Sequence, residues 1–314
     1  MTVTSISSPR VVAGADKAQR AGERRTGWLL LTPAFVLMNA VGFFPMVYSL
    51  YISLTDYNPT HGGSSRFVWL SNYANAVLDI QFWHSIGLTL VFVTLSVGTS
   101  LVLAVLLSIL FNLRYPGFFL LRTIILIPML ITPIAVGIVW RIMMMPDLGV
   151  LNYLLSLVGL DPLLWTSSAT TALLSVVLVD IWQWTPFMFL IVFAGISSLP
   201  RSPFEAAAID GAGPIRVFFS ITLPLLKPVI VIATLLRIVD AFRTYDTTFI
   251  MTRGGPDFAT DLVSVYLQRI NFRFFDLGYG AALSWITLVI VTIIILIFTK
   301  LSGFTRLISE KENR

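Results

Sequence analysis

The 314-residue chain contains no cysteine. Disulfides, thiolate catalysis and Cys-based zinc sites are therefore excluded. Histidine occurs twice, as His61 and His84, in or beside a polar loop and without ligand-like spacing. A solvated side chain is the ordinary role there, and no metal site is expected. Charge is scarce as well. Asp, Glu, Lys and Arg make up 12% of the residues, about half the ~25% of an ordinary soluble domain. The Gly-Gly at 254–255 is not followed by Gly-Lys-Ser/Thr, so it is a tight turn rather than a nucleotide-cradling phosphate loop. Residues 1–27 have no compact apolar region ending in a cleavage site. They read as a disordered cytoplasmic tail and not as a signal peptide.

What the chain has in excess is apolar side chain, 56% of its residues. No soluble fold of this length has enough interior to hide it, so lipid must be the solvent for much of it. Six long apolar runs stand out: Trp28–Ser53, Ser85–Phe111, Phe118–Trp140, Thr171–Ser197, Leu225–Met251 and Gly278–Thr299. Each supplies the ~20 residues that cross ~30 Å of hydrocarbon as a helix. The weaker stretch Val150–Leu164 is too short to span and reads as a re-entrant or interfacial helix. The net charge of +5 is dispersed among these runs, which points to membrane topology and not to a nucleic-acid partner. With the N-terminus inside, fourteen Lys and Arg fall on cytoplasmic segments and five on outer ones. Basic residues accumulate on the cytoplasmic side, so both termini are expected there and Leu54–Trp83 outside. The expected fold is an all-α integral membrane protein with six transmembrane helices. Its parts are a tail at 1–27, a first span at 28–53, a five-span core at 85–300 with a cytoplasmic loop at 198–224, and a tail at 301–314.

Ionisable groups at mid-membrane cost at least ~2.5–3.5 kcal/mol unless they face protein or water. Asp180 lies in the fourth run, and Arg237, Asp240, Arg243 and Asp246 lie in the fifth. Helical spacing puts Asp180, Gln183, Trp184 and Phe187 on one face, and Arg237, Asp240, Ala241 and Thr244 on another. Polar groups beside aromatic faces suit a sugar, which needs hydrogen bonds at its rim and a flat surface for its ring. A structural reading stands beside this one: Arg237 neutralises Asp240, or pairs with Asp180 to lock two spans together. Met143-Met144-Met145 reads as flexible apolar packing in preference to a gate.

Between two of the runs lies EAAAIDGAGPIRVFFSITLPLLKP, residues 205–228. Ser202 suits an N-cap, Pro203 a first helical position and Glu205 the positive end of the helix dipole. Asp210-Gly211-Ala212-Gly213 allows a sharp reversal, and Pro214 opens a second short helix through Ser220. Leu223-Pro224 and Lys227-Pro228 are expected to end that helix and launch the next span.

At these residues the chain resembles the permease subunits of binding-protein-dependent ABC importers. Glu205-Ala206-Ala207, Asp210-Gly211-Ala212, and Ile221, Leu223 and Pro224 match their "EAA" loop, including the nine residues between Gly211 and Ile221. The resemblance runs over nearly the whole chain. "LTPAFVLMNAVGFFPMVYSLYISLTDY" and "FRTYDTTFIMTRGGP" are similar to the carbohydrate branch, the maltose- and glycerol-phosphate-type permeases. The resemblance implies the type I importer permease fold, in which a short coupling helix sits in a groove of a cytoplasmic ATPase subunit. Glu205, Ala206, Ala207, Asp210, Gly211 and Ala212 would form the docking surface, with Glu205 facing a basic residue of the ATPase. It further implies that sugar binds on the fourth and fifth spans. The partners implied are a second, related permease in a heterodimer, two ATPase subunits and an extracytoplasmic solute-binding protein, in a bacterial cytoplasmic membrane. ATP and magnesium would be bound by the ATPase subunits, leaving this chain without a cofactor and without catalysis of its own. One departure stands out: the maltose-type relative has a large periplasmic insertion and extra spans, whereas Leu54–Trp83 is short. Among other classes, an ion-coupled secondary transporter would use the intramembrane Asp and Arg residues but leaves the loop at 205–228 unexplained. A membrane enzyme has little catalytic equipment here.

Overall fold

The computed structural model describes residues 10–61, 65–112 and 117–303. Its helices are α1 (Arg10–Ser53), α2 (Ser71–Leu78), α3 (Ile80–Asn112), α4 (Phe118–Leu130), α5 (Pro133–Met143) and α6 (Val150–Leu157). There follow α7 (Ala169–Ser197), α8 (Ser202–Ile209), α9 (Pro214–Val217), α10 (Leu223–Phe242), α11 (Asp246–Thr252), α12 (Val263–Phe272) and α13 (Leu277–Leu301). Among the described residues there is no sheet, only a bridge between Thr55 and Phe67 in the loop between α1 and α2. Among the described residues five helices are long and apolar enough to cross a membrane, six if a bent pair counts as one span. The protein is a multi-pass all-α membrane protein.

α3 and α7 form the central and most extensive helix pair, with α10 packed on both. Lipid is as apolar as leucine, so helices in it associate through close backbone approach and hydrogen bonds. The α3 sequence provides for this with a buried stripe of small and hydroxyl residues: Ser85, Thr89, Ser96, Ser100, Ala104 and Ser108. Gly195 does the same on α7, where an added Cβ would lie 2.9 Å from Val229 of α10.

The structure departs from the sequence expectations at several places. α1 begins at Arg10, within the tail expected to be disordered; the stretch is rich in Ala, Arg, Glu, Lys and Gln, which are strong helix formers. Residues 1–9 and 304–314 lie outside the described residues. The third run is not one straight span, since α4 and α5 meet at 97°. Pro133 drives this: the residue before a proline is pushed out of the helical region, and Thr132 is extended at φ −62°, ψ 140°. Pro133 then sits in the first turn of α5, where its missing N–H costs nothing.

The fifth run breaks too, at residues 243–245 between α10 and α11. The two helices that follow the breaks, α5 and α11, pack on each other. Gly137 allows the approach, with Ile250 Cβ only 3.0 Å from where its own Cβ would stand. Arg141 donates to the Ile250 carbonyl at 3.2 Å. In the stretch expected to be re-entrant or interfacial, the helix ends at Leu157 and residues 158–164 are not helical. Of the methionine run expected to pack, Met144 is fully buried in the main core cluster, whereas Met145 is exposed.

Ion pairs and tyrosines tie together the helix ends around Asp79 and Asp261. Asp79, just before α3, accepts from the hydroxyls of Tyr266 on α12 and Tyr279 on α13 at 2.5 and 2.6 Å. Burial pushes the Asp79 carboxyl up, but these bonds and the Phe82 and Gln81 amides outweigh it and hold it below the ordinary carboxylate value. Asp261 is fully buried and pairs with Arg269 through both guanidinium nitrogens, while Gln81 donates to it at 2.9 Å.

The first span stands apart: none of its apolar window is buried in this chain. Its C-terminal end is anchored, with the Ser53 carbonyl accepting from Asn72 of α2 at 2.9 Å and the segment just beyond it held on α13. There the Gly278 amide donates to the Tyr57 carbonyl at 3.0 Å, and a Cβ on Gly278 would lie 2.1 Å from the Thr55 carbonyl oxygen. Gly278→Ala is expected to cost about 1–3 kcal/mol through this backbone clash. Gly98→Ala, which meets nothing within 4 Å, should cost nothing and is the control. Thermal unfolding of the two purified variants in detergent checks the difference.

Candidate functional site

At the centre of the α3–α7–α10 contact sits Arg237, fully buried. One guanidinium nitrogen pairs with Asp180 of α7, and the other donates to Asp240, one turn further along α10, at 3.0 Å. Both pairings open from the sequence are thus made at once. Ser96 of α3 donates to the same Asp180 oxygen, and lies 3.4 Å from the Arg237 nitrogen. Three spans therefore share one knot of charge. An unpaired ion in hydrocarbon is costly, and breaking a buried pair by removing one partner costs ~3–5 kcal/mol.

The two carboxylates differ in exposure. The Asp180 side chain is 2% exposed and that of Asp240 is 45% exposed. Trp184, half-buried, lies beside them with its ring 5.5 Å from the Arg237 guanidinium carbon, and Phe187 meets Trp184 edge-on at 6.5 Å. The Asp180, Gln183, Trp184 and Phe187 face therefore exists as a helical face. Gln183 is buried, and its amide donates to the Ile131 carbonyl at 3.1 Å. That carbonyl is one of those freed where α4 ends, so Gln183 closes the break between α4 and α5. Its own side-chain oxygen is buried without a partner.

The second face is shorter than its spacing suggested. α10 ends at Phe242, and Thr244 belongs to the break that follows, where its carbonyl accepts from Ser264. Arg237, Asp240 and Ala241 share the α10 face, but Thr244 does not continue it. Sequence reasoning missed Ser96. Its signal was the buried hydroxyl stripe of α3, Ser85, Thr89, Ser96, Ser100 and Ser108, whose spacings of four, seven and eight residues keep to one helical face.

The other candidate region is the platform at 202–222. α8 starts one residue earlier than its capping pattern suggested: Arg201 occupies the N-cap position, with no side-chain cap, and Ser202 is the first helical residue. Glu205 stands in the first turn, exposed. The helix closes on Gly211 at φ +68°. The Ala212 amide donates to the Ala207 carbonyl at 2.9 Å and the Gly211 amide to Ala208 at 3.2 Å. That pair of bonds is a Schellman closure, which needs a left-handed residue and so favours glycine. Ala207 faces inward and is buried, whereas Ala206, Asp210 and Gly211 are exposed and Ala212 is half-buried.

The second platform helix does not stop at the prolines. It passes from Pro214 through a π turn at Phe218–Thr222 into α10, forming one continuous helix to Phe242. The Leu223 amide reaches back to Phe218, five residues earlier. The wider turn accommodates Pro224, whose ring would otherwise crowd the preceding turn's carbonyl. The platform also presents apolar residues the sequence reading passed over, with Ile209 at 88% and Ile215 at 75% exposure.

A bundle of broken and continuous spans around a buried charge knot, with a rigid platform built onto one span, is the architecture of a membrane transport component. Residues 104–312 match the family described as the binding-protein-dependent transport system inner membrane component. The chain belongs to this family. It is 39% identical over 292 residues to a probable ABC transporter permease protein, y4oQ, of Sinorhizobium fredii, covering 93% of this chain and 94% of that one. It is 34% identical over 284 residues to the trehalose/maltose transport system permease protein MalF of Thermococcus litoralis, covering 90% and 96%. Among solved structures, a chain of a bacterial alginate ABC transporter in complex with an alginate pentasaccharide-bound periplasmic protein superposes with a TM-score of 0.76. That match covers 90% of this chain and 96% of the other at 20% identity, and shows the shared fold. Membership of a binding-protein-dependent family sets aside the ion-coupled secondary transporter.

The exposure difference yields a stability prediction. Asp180→Ala leaves Arg237 buried with Asp240 as its remaining carboxylate and is expected to cost ~3–5 kcal/mol. Asp240→Ala, removing a half-exposed partner, should cost no more than about 1 kcal/mol. Thermal denaturation of the two variants should rank them in that order, and the reverse order would place the anchor at Asp240.

Proposed function

We propose that this chain is the permease subunit of an ATP-driven importer of a sugar, oligosaccharide or sugar alcohol. The observation that carries the reading is the platform: a Schellman-closed helix whose chain runs on, unbroken from Pro214, into the span that bears Arg237 and Asp240. The family membership and the trehalose/maltose relative support the carbohydrate class. ATP hydrolysis belongs to two partner ATPase subunits, which bind the ATP and magnesium, and a second related permease completes the membrane part. An extracytoplasmic solute-binding protein delivers the substrate.

In this reading Glu205, Ala206, Asp210, Gly211 and Ala212 dock on the ATPase, with Ala207 packing the platform against its own chain. Ile209 and Ile215 add apolar anchors to that surface. Asp240 and Trp184 meet the sugar: a half-exposed carboxylate accepts from hydroxyls, and the indole offers a flat face. Asp180, Gln183 and Arg237 hold these groups in place, while Phe187 and Thr244 border them. The chain lies in a bacterial cytoplasmic membrane with both termini inside.

Uptake into vesicles carrying the whole complex tests this. Gly211→Pro cannot adopt the required positive φ, and should abolish ATP-driven sugar uptake while the protein still inserts. Gly211→Ala, with no atom within 4 Å of its Cβ, should cost only ~1 kcal/mol of backbone strain and keep most uptake. Asp240→Asn should weaken apparent sugar affinity several-fold with assembly intact. Uptake that persists without ATP, or wild-type uptake by Gly211→Pro, would defeat the reading.

Orientation has its own check. With no native cysteine to interfere, Ser65→Cys should react with a membrane-impermeant thiol reagent in intact cells, and Ser202→Cys should react only after the membrane is opened. Labelling of Ser202→Cys in intact cells would invert the topology.

A further inference from the structure

A cavity of about 1090 Å³ lies behind the platform, between α8 and one set of ends of α3, α4 and α7. It is separate from the charge knot and shares only Glu205 with the proposed docking surface. Arg122, near the start of α4, reaches its wall and lies over the Phe193 ring, 4.1 Å from the centroid. The Arg122 Nε is buried and has no hydrogen-bond partner. Arg201, at the start of α8, lines the same space. Among the described residues neither arginine is paired with a carboxylate.

A buried guanidinium N–H without an acceptor is unfavourable unless something else supplies one. Two arginines with planar donor forks match a phosphate group better than any neutral ligand. Glu205 also lines the cavity. Its carboxylate reduces the wall to one net positive charge, which suits a singly charged phosphodiester better than a polyanion. Much of the remaining wall is apolar, including Phe193, Ile196, Phe204 and Phe218. A phosphate joined to hydrocarbon would satisfy both parts. The span ends that line the cavity lie at headgroup depth in the cytoplasmic leaflet, where anionic phospholipids collect.

We infer that this cavity holds an anionic phospholipid, its phosphate on Arg122 and Arg201 and an acyl chain against Phe193, Ile196 and Phe218. The inference rests on the orientation proposed above, which puts residues 198–224 on the cytoplasmic side. Seated there, the lipid braces α8 from behind, so the stiffness of the docking platform depends on the charge of the surrounding membrane.

The test uses the whole complex in nanodiscs of phosphatidylcholine with increasing phosphatidylglycerol. Native mass spectrometry counts the lipid retained per chain, and ATP hydrolysis is followed in the same samples. Phosphatidylglycerol should be retained in preference to phosphatidylcholine, and hydrolysis should rise with its content. Arg122→Gln and Arg201→Gln should each lower phosphatidylglycerol affinity by about tenfold, the loss of one charge-assisted hydrogen-bonding group. Arg201 is exposed, so its variant gives a reading even if Arg122→Gln fails to fold. Retention unchanged in Arg201→Gln and in any folded Arg122→Gln would overturn the proposal. So would inorganic phosphate that displaces phosphatidylglycerol and reproduces its effect in phosphatidylcholine discs, since the site would then take free phosphate. A wrong orientation would appear in the cysteine labelling and leave lipid retention unchanged, so the two failures are separable.

Discussion

The fold turns on one buried cation. Arg237 is completely enclosed, and an arginine cannot shed its proton to escape that environment. It must be neutralised by protein. Asp180 does this from α7, Ser96 joins from α3, and Arg237 itself stands on α10. The relative positions of the three central spans are thereby set at one depth by a contact that tolerates little displacement. Apolar packing along α3 and α7 could slide by a turn at modest cost, but the charge knot allows a single register.

Two discontinuities accompany this rigid centre. Where α4 ends, proline geometry frees carbonyls inside the bundle, and Gln183 satisfies one of them from α7. Irregular backbone at membrane depth is tolerated only where protein or water covers it. The same helical face that carries Asp180 thus also repairs the break. Beyond the breaks, at the end away from the platform, α5 and α11 close against each other through Gly137 and Arg141. The bundle therefore has continuous helices toward the platform and short, jointed helices at the opposite end.

That asymmetry is what the proposed importer, driven from one side, would use. The helix from Pro214 to Phe242 has no interruption in its course, and at 1.5 Å per residue it spans ~35 Å from the platform to Arg237. The π turn at Phe218–Thr222 lets it do so despite two prolines in the following turns. α1 contributes nothing to this core, and its bare apolar surface faces outward. The chain is built to be surrounded.

Much of this was legible in the sequence because the solvent is hydrocarbon. Apolar runs of ~20 residues among so few charges have no soluble alternative, and the spans α3, α7 and α13 lie where the runs placed them. The platform was readable because Pro203, Glu205, Gly211 and Pro214 each have a narrow backbone meaning. Charges inside a span announced themselves by their cost. What the sequence left open was partnership and continuity. Helical spacing offered Arg237 two carboxylates, and only the packing of α7 on α10 shows that it takes both, with Asp240 left half-exposed. Ser96 looked like any hydroxyl on an apolar helix until α3 met Asp180. Pro133 broke its run, whereas Pro224 and Pro228 did not break theirs. A proline's effect depends on whether the neighbouring turn can widen and whether another helix can receive the freed carbonyl, and both are decided by tertiary contacts.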